Sequence, residues 1–173
     1  MFSSIHTLNI LLTKSKIPKI LELIRDLTDN KDKDVVVFTS YKEPFDMLMK
    51  ELGDMAVGVD GRVNSYDRKK LIDKFYNDDT CKVFVGNIVA AGVGGNLVNA
   101  SEVIFCNMPF TAAEVQQCVD RLHRIGQDKP INVYYTICMD TIDEAIYRMI
   151  EHKAEDILNV VDSGKGNKDV GNI

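Results

Sequence analysis

A chain of 173 residues, 45 % hydrophobic and 27 % charged, carries enough apolar material for one ordinary globular domain. No uninterrupted apolar run reaches membrane-spanning length, and Met1–Leu12 lacks the basic start and cleavage pattern of a secretory signal, so an intracellular setting is expected. A net charge of −5 excludes a protein that coats nucleic acid through its whole surface, but not one with a local phosphate-binding face.

In chain order, Ile17, Ile20, Leu21, Ile24 and Leu27 keep helical spacing, with Pro18 placed in the first turn, where its missing N–H does no harm. Val35–Phe38 is a continuous β-branched and aromatic run, the mark of a strand covered on both faces. A helix is expected over Glu43–Leu52, a second strand over Met55–Val59, and a helix over Tyr66–Tyr76 that buries Leu71, Ile72 and Phe75. Lys82–Val85 and Val103–Cys106 read as further strands, Ala112–Arg124 as a helix and Val133–Ile137 as a fifth strand. A last helix starts near Thr141, where Thr141 and Glu144 have capping-box spacing, and it presents Ile142, Ala145, Ile146, Met149 and Ile150 on one face. From Asp162 onward glycine, lysine and asparagine dominate, as in a frayed tail. Residues 1–16 form a lead-in, 17–160 the domain and 161–173 the tail. Strand–helix alternation of this kind predicts a three-layer α/β fold on a parallel sheet, with ligands at the carboxyl ends of the strands.

The four cysteines are widely spaced, with no Cys-x-x-Cys pair and no histidine at a ligand spacing, so they read as reduced core residues and no metal site is expected.

Each segment with chemical potential begins at a predicted strand end. Thr39-Ser40 follows the first strand and would either donate to a phosphate or cap the next helix. Asp60-Gly61 follows the second, with Arg68 on the helix beyond; Lys69, Lys70 and Lys74 read as a solvated face. Asn87–Leu97 follows the third and includes the glycine-rich stretch 92–95, suited to a tight turn or to close approach of backbone amides to phosphate. The stretch is neither a Rossmann fingerprint nor a Walker A loop. After the fourth strand, Gln117, Arg121 and Arg124 fall at i, i+4 and i+7, one stripe of a helix whose other side carries Val115, Cys118, Val119 and Leu122. Paired guanidinium groups held this way suit polyphosphate recognition, although a solvated amphipathic helix has the same pattern. His123 has no acidic or nucleophilic partner nearby in sequence.

Taken in order, these segments resemble the second RecA-like lobe of superfamily 2 helicase-like ATPases of the Swi/Snf branch. Gln117–Gln127 matches that family's Gln-x-x-x-Arg-x-His-Arg-Ile-Gly-Gln motif at every defined position, and Asn87–Leu97 is similar to its Ser/Thr-x-x-Ala-Gly-Gly-x-Gly-x-Asn-Leu motif. Val36–Ser40 and the Asp60-Gly61 and Arg68 element resemble two more, and together the likeness covers about Ile17 to Leu158. Asn87 stands where the family has Ser or Thr, Ala91 replaces a glycine, and Phe110-Thr111-Ala112 stands where the family has Trp-Asn-Pro, departures that suggest a divergent, bacterial or viral member.

The resemblance implies a parallel RecA-like lobe that closes one side of an ATP cleft. Arg121 and Arg124 would be arginine fingers, Gln117, Gly92 and Gly94 nucleotide contacts, and Ser40, Arg68 and Asn87 contacts to DNA, a duplex more than RNA. The N-terminal lobe, in cis or in trans, would bring the phosphate loop and the magnesium ligands. The chain would reside in the cytoplasm of a bacterium or in a eukaryotic nucleus. With no phosphate loop or Asp-Glu motif, it holds half an ATP site and is expected to be inactive alone, whether as a fragment or as a docking subunit. Two other readings compete: a non-catalytic module that keeps the fold to hold DNA or a protein, and a conventional nucleotide-binding α/β enzyme, which leaves the arginine motif unexplained.

Overall fold

The computed structural model describes residues 2–87, 97, 100–109, 111–120, 122 and 130–151. Helix α1 (Phe2–Arg25) runs through a wide turn at Asp26–Asn30 into strand β1 (Val35–Thr39). Helix α2 (Lys42–Leu52), strand β2 (Ala56–Val59), helix α3 (Ser65–Asn77) and strand β3 (Val83–Asn87) follow. Strand β4 (Glu102–Phe105), helix α4 (Ala112–Val119), strand β5 (Asn132–Tyr135) and helix α5 (142–151) complete the described elements.

The five strands pair in the order β2-β3-β1-β4-β5, and every pairing is parallel. Strand β1 lies at the centre, its Val35, Val36, Val37 and Phe38 fully buried. Alternation along the strand sends Val35 and Val37 to the face covered by Ile17, Ile20 and Ile24 of α1 and Leu48 of α2. Val36 and Phe38 go to the opposite face, with Phe75 of α3 and Cys118 of α4. Burying each valine contributes about 1.5–3 kcal/mol, so this strand is a large part of what holds the three layers together. The expected parallel three-layer α/β fold is present.

Backbone proximity seats α2. Gly58 of β2 faces that helix, and a Cβ there would lie 2.6 Å from Met49 Sδ and 2.7 Å from Phe45 Cζ. Gly53 closes the helix at φ 55°, its N–H donating to Met49 O.

Several local elements differ from the sequence expectation. Pro18 lies inside α1 instead of in its first turn, and the helix continues upstream to Phe2. Proline cannot donate to the carbonyl one turn back, and the helix runs through it with Ile17, Ile20 and Ile24 on its inner side packed into the core. Asn9, Thr13 and Lys16 are buried there, and Thr13 Oγ1 donates to Asn9 O at 2.7 Å. The helix expected over Ala112–Arg124 is described as Ala112–Val119, and Arg121 and Arg124 lie outside the described residues. Beyond it the Leu122 N–H donates to Val119 O at 2.9 Å, a tighter i to i−3 bond.

The Thr141–Glu144 capping box does not form as such. Thr141 Oγ1 accepts from Asp143 N at 3.2 Å, and Glu144 Oε2 accepts from Asp140 N at 3.0 Å. A complete capping box stands instead at Thr111 and Glu114, at the start of α4. Helix α5 is also rotated from the expected face: Ile150 is buried, Ala145 and Met149 are exposed, and Asp143 points inward. The inward turn is fixed by an ion pair, Lys16 Nζ to Asp143 Oδ2, at 2.7 Å. The tail from Asp162 lies outside the described residues.

Candidate functional site

The carboxyl ends of β1, β3 and β4 converge on one neutral polar cluster. Strands β1 and β3 pair Thr39 with Asn87, and the Cys106 N–H donates to Phe38 O at 2.9 Å, which places Asn107 beside Thr39 and Ser40. Asn107 Oδ1 accepts from Ser40 N at 2.8 Å and from Thr39 Oγ1 at 3.3 Å. Its Nδ2 donates to Ser40 Oγ at 3.1 Å and to Met108 O at 3.4 Å. Asn87 Nδ2 donates to Ser40 O at 3.3 Å. The sheet thus brings Ser40 and Asn87 together, both half-buried.

Neither Thr39 nor Ser40 caps the next helix. Tyr41 is the N-cap residue of α2, without a side-chain cap, and Thr39 Oγ1 accepts from the Tyr41 N–H at 3.3 Å.

Arg68 sits one turn into α3, half-buried, with its N–H donating to Asn64 O at 2.9 Å. Its helix packs against β2 at the sheet edge, two strands away from β1, and Arg68 is not among the residues bonded to Ser40. Lys69, Lys70 and Lys74 are exposed, as a solvated face requires, and Lys70 Nζ stands 4.3 Å from the centre of the exposed Tyr66 ring.

On α4, Gln117 is exposed while Cys118 is buried and Val115 packs against the core, so the helix presents its amide outward and its apolar side to the sheet. Leu122 is fully buried in the same cluster. Arg121, Arg124, His123, Gly92 and Gly94 lie outside the described residues.

Two residues that sequence reasoning passed over shape this edge. Asn107 is one; its position directly after a four-residue apolar run was a legible signal of a strand-end polar residue. Arg62 is the other. Its Nε donates to Asp60 Oδ2 at 2.6 Å, its backbone N–H to Asp60 Oδ1 at 2.9 Å, and a terminal nitrogen to Asp46 Oδ1 at 2.6 Å. The guanidinium also lies 5.6 Å from the Phe45 ring centre. Burial works to raise the pKa of Asp60, but hydrogen bonds and the charge of Arg62 outweigh it and hold the carboxyl below its ordinary value. Hydrogen bonds that Arg62 donates to Asp60 and then to Asp46 raise its own pKa in turn. Asp60 therefore fixes the turn after β2 through Arg62.

The four cysteines are free thiols, three of them buried. Burial pushes the Cys106 thiol up to about 12, against the opposing pull of the Lys16 ammonium. Among the described residues no cluster of histidine, cysteine and carboxylate side chains could hold a metal ion, and no helix is long and apolar enough to cross a membrane. Among the described residues the edge offers amide and hydroxyl hydrogen bonding, chemistry that binds and orients.

The fold is that of a parallel α/β lobe with polar side chains gathered at the carboxyl ends of its strands, the place where this class of protein binds its ligands. Residues 15–126 match the helicase conserved C-terminal domain, and the chain belongs to that family. It is 33 % identical over 141 residues to the ATP-dependent helicase FUN30 of Saccharomyces cerevisiae, covering 80 % of this chain and 12 % of that protein. It is 34 % identical over 143 residues to the SWI/SNF-related matrix-associated actin-dependent regulator of chromatin subfamily A-like protein 1 of Xenopus tropicalis, covering 81 % and 15 % respectively. The crystal structure of the C-terminal part of the Fun30 ATPase domain superposes with a TM-score of 0.72 at 33 % identity, over 78 % of this chain and 44 % of that one. These relatives are Swi/Snf-type helicases, and the chain spans about an eighth of the length of the two curated ones.

Proposed function

We propose that this chain is the second lobe of an ATP-dependent DNA translocase of the Swi/Snf type, acting in remodelling, repair or replication. It completes an ATP site shared with an N-terminal RecA-like lobe. The observation that carries the reading is the convergence of Ser40 and Asn87 at the carboxyl edge of the parallel sheet, with α4 presenting Gln117 outward beyond the same edge of β4. The motif match at Gln117–Gln127 supports the assignment of Arg121 and Arg124 as arginine fingers.

ATP supplies the phosphoryl group to be transferred, and magnesium would be held by the other lobe. In this chain, Gln117, Gly92 and Gly94 bind and orient the phosphates. Arg121 and Arg124 stabilise the charge that builds on the transferred oxygens, a role worth about 10³–10⁵ in rate in other nucleotide hydrolases. Ser40, Arg68 and Asn87 contact the DNA backbone, probing its phosphates more than its bases.

The test is additive reconstitution. This chain alone, the N-terminal lobe alone and the two joined are assayed for ATP hydrolysis with and without duplex DNA. The proposal expects DNA-stimulated turnover only from the joined lobes. A joined protein that binds DNA but never hydrolyses ATP establishes a non-catalytic binding module in its place.

A further inference from the structure

We infer that Asn107 is a positioning residue for DNA: it fixes the Ser40 hydroxyl so that its single proton points outward as a phosphate donor. The inference rests on the proposed reading of Ser40 as a DNA-backbone contact and deepens it.

Hydrogen-bond geometry fixes the orientation of the Asn107 amide. Ser40 N–H can only donate, and it lies 2.8 Å from one side-chain atom of Asn107, which must therefore be the amide oxygen. That fixes the other atom, 3.1 Å from Ser40 Oγ, as the amide nitrogen. The Asn107 oxygen has two acceptor sites, filled by Ser40 N and Thr39 Oγ1. Its nitrogen has two protons, engaged by Ser40 Oγ and Met108 O. Asn107, 3 % exposed, is thus fully satisfied and held from four directions.

The consequence falls on Ser40. Its backbone N–H is consumed by Asn107, so it is not available to a phosphate. Its hydroxyl receives a proton from Asn107 and must donate its own elsewhere. Thr39 has no such freedom, because its hydroxyl both donates to Asn107 and accepts from Tyr41 N. Ser40 is half-buried at the strand edge, and its hydroxyl proton is left to face a ligand. An anionic oxygen is the partner that gains most from a pre-aimed hydroxyl.

Replacing Asn107 with aspartate tests the direction of the proton. The shape is kept, but the atom facing Ser40 Oγ becomes an acceptor and captures the hydroxyl proton. Binding of this chain to a fluorescein-labelled duplex of about 20 base pairs is measured by anisotropy at about 50 mM salt. Wild type, Ser40→Ala, Asn107→Asp and the double variant are compared, each checked for folding by thermal melting. Ser40→Ala is expected to weaken binding roughly ten- to a hundredfold, the value of one hydrogen bond to a charged group. Asn107→Asp should weaken it at least as much, and the double variant no more than Asn107→Asp alone.

If the aspartate does not fold, Asn107→Ala serves, with a smaller loss that vanishes in the Ser40→Ala background. Losses that multiply fully in the double variant overturn the positioning role, since added charge or general damage would act without Ser40. Equal binding by wild type and Ser40→Ala overturns the phosphate contact itself, and the positioning role with it. The two failures are therefore told apart by the single Ser40 variant.

Discussion

Lys16 Nζ lies 2.7 Å from Asp143 Oδ2, and both side chains are less than a tenth exposed. The same ammonium donates to Thr136 O at 2.8 Å, and the carboxylate accepts from Cys138 N at 3.1 Å. One buried pair thereby joins α1, the segment after β5 and α5 beside the sheet edge that carries the candidate site. Its geometry is well supported by hydrogen bonds on both partners, the condition under which a buried pair is tolerated.

Removing one partner leaves the other charged and buried. Lys16→Met should cost about 3–5 kcal/mol in urea unfolding, and Lys16→Met combined with Asp143→Leu should recover most of that loss. A single variant within about 0.5 kcal/mol of wild type would show that the pair is not intact in solution.

Pro18 should be the weak point of α1. Pro18→Ala restores an N–H facing the Lys14 carbonyl and removes the ring clash, so stability should rise by about 1–3 kcal/mol. A fall in denaturation midpoint would mean that the helix does not run through this position.

The pair of Asp60 and Arg62 should leave an acid signature. The folded pKa of Asp60 is below its unfolded one, so its stabilisation is present above about pH 4 and disappears as pH falls through the lower folded value. The stability gap between wild type and Asp60→Asn should therefore narrow between about pH 5 and pH 2. A gap that stays constant over that range would contradict a charged pair.

The thiols should react in order of access. Cys138 is half-buried, whereas Cys81, Cys106 and Cys118 are buried and burial raises the pKa of Cys81 and Cys106. Alkylation of the native protein followed by mass spectrometry should find Cys138 modified first and Cys106 only after unfolding. Early modification of Cys106 would show the sheet opening at β4.

The layers were legible because their signals are local. Four consecutive β-branched or aromatic residues at Val35–Phe38 require cover on both faces, whatever lies elsewhere in the chain. The same holds for the carboxyl-edge location of Ser40 and Asn87. The partners that organise the edge are another matter: Asn107 meets Ser40 across 67 positions of sequence, and Lys16 meets Asp143 across 127. No periodicity encodes such distances. Local rules also misled where tertiary contacts overrode them, as at Pro18 and at the Thr141 cap, where Asp143 was drawn inward to Lys16.

This lobe is proposed to finish an ATP site begun by another. The most direct measurement is DNA-stimulated ATP hydrolysis by the joined lobes, comparing wild type with Arg121→Ala and Arg124→Ala at saturating ATP. Loss of turnover by about 10³ or more in each variant, with DNA binding retained, is the predicted result. Unchanged turnover in both would contradict it.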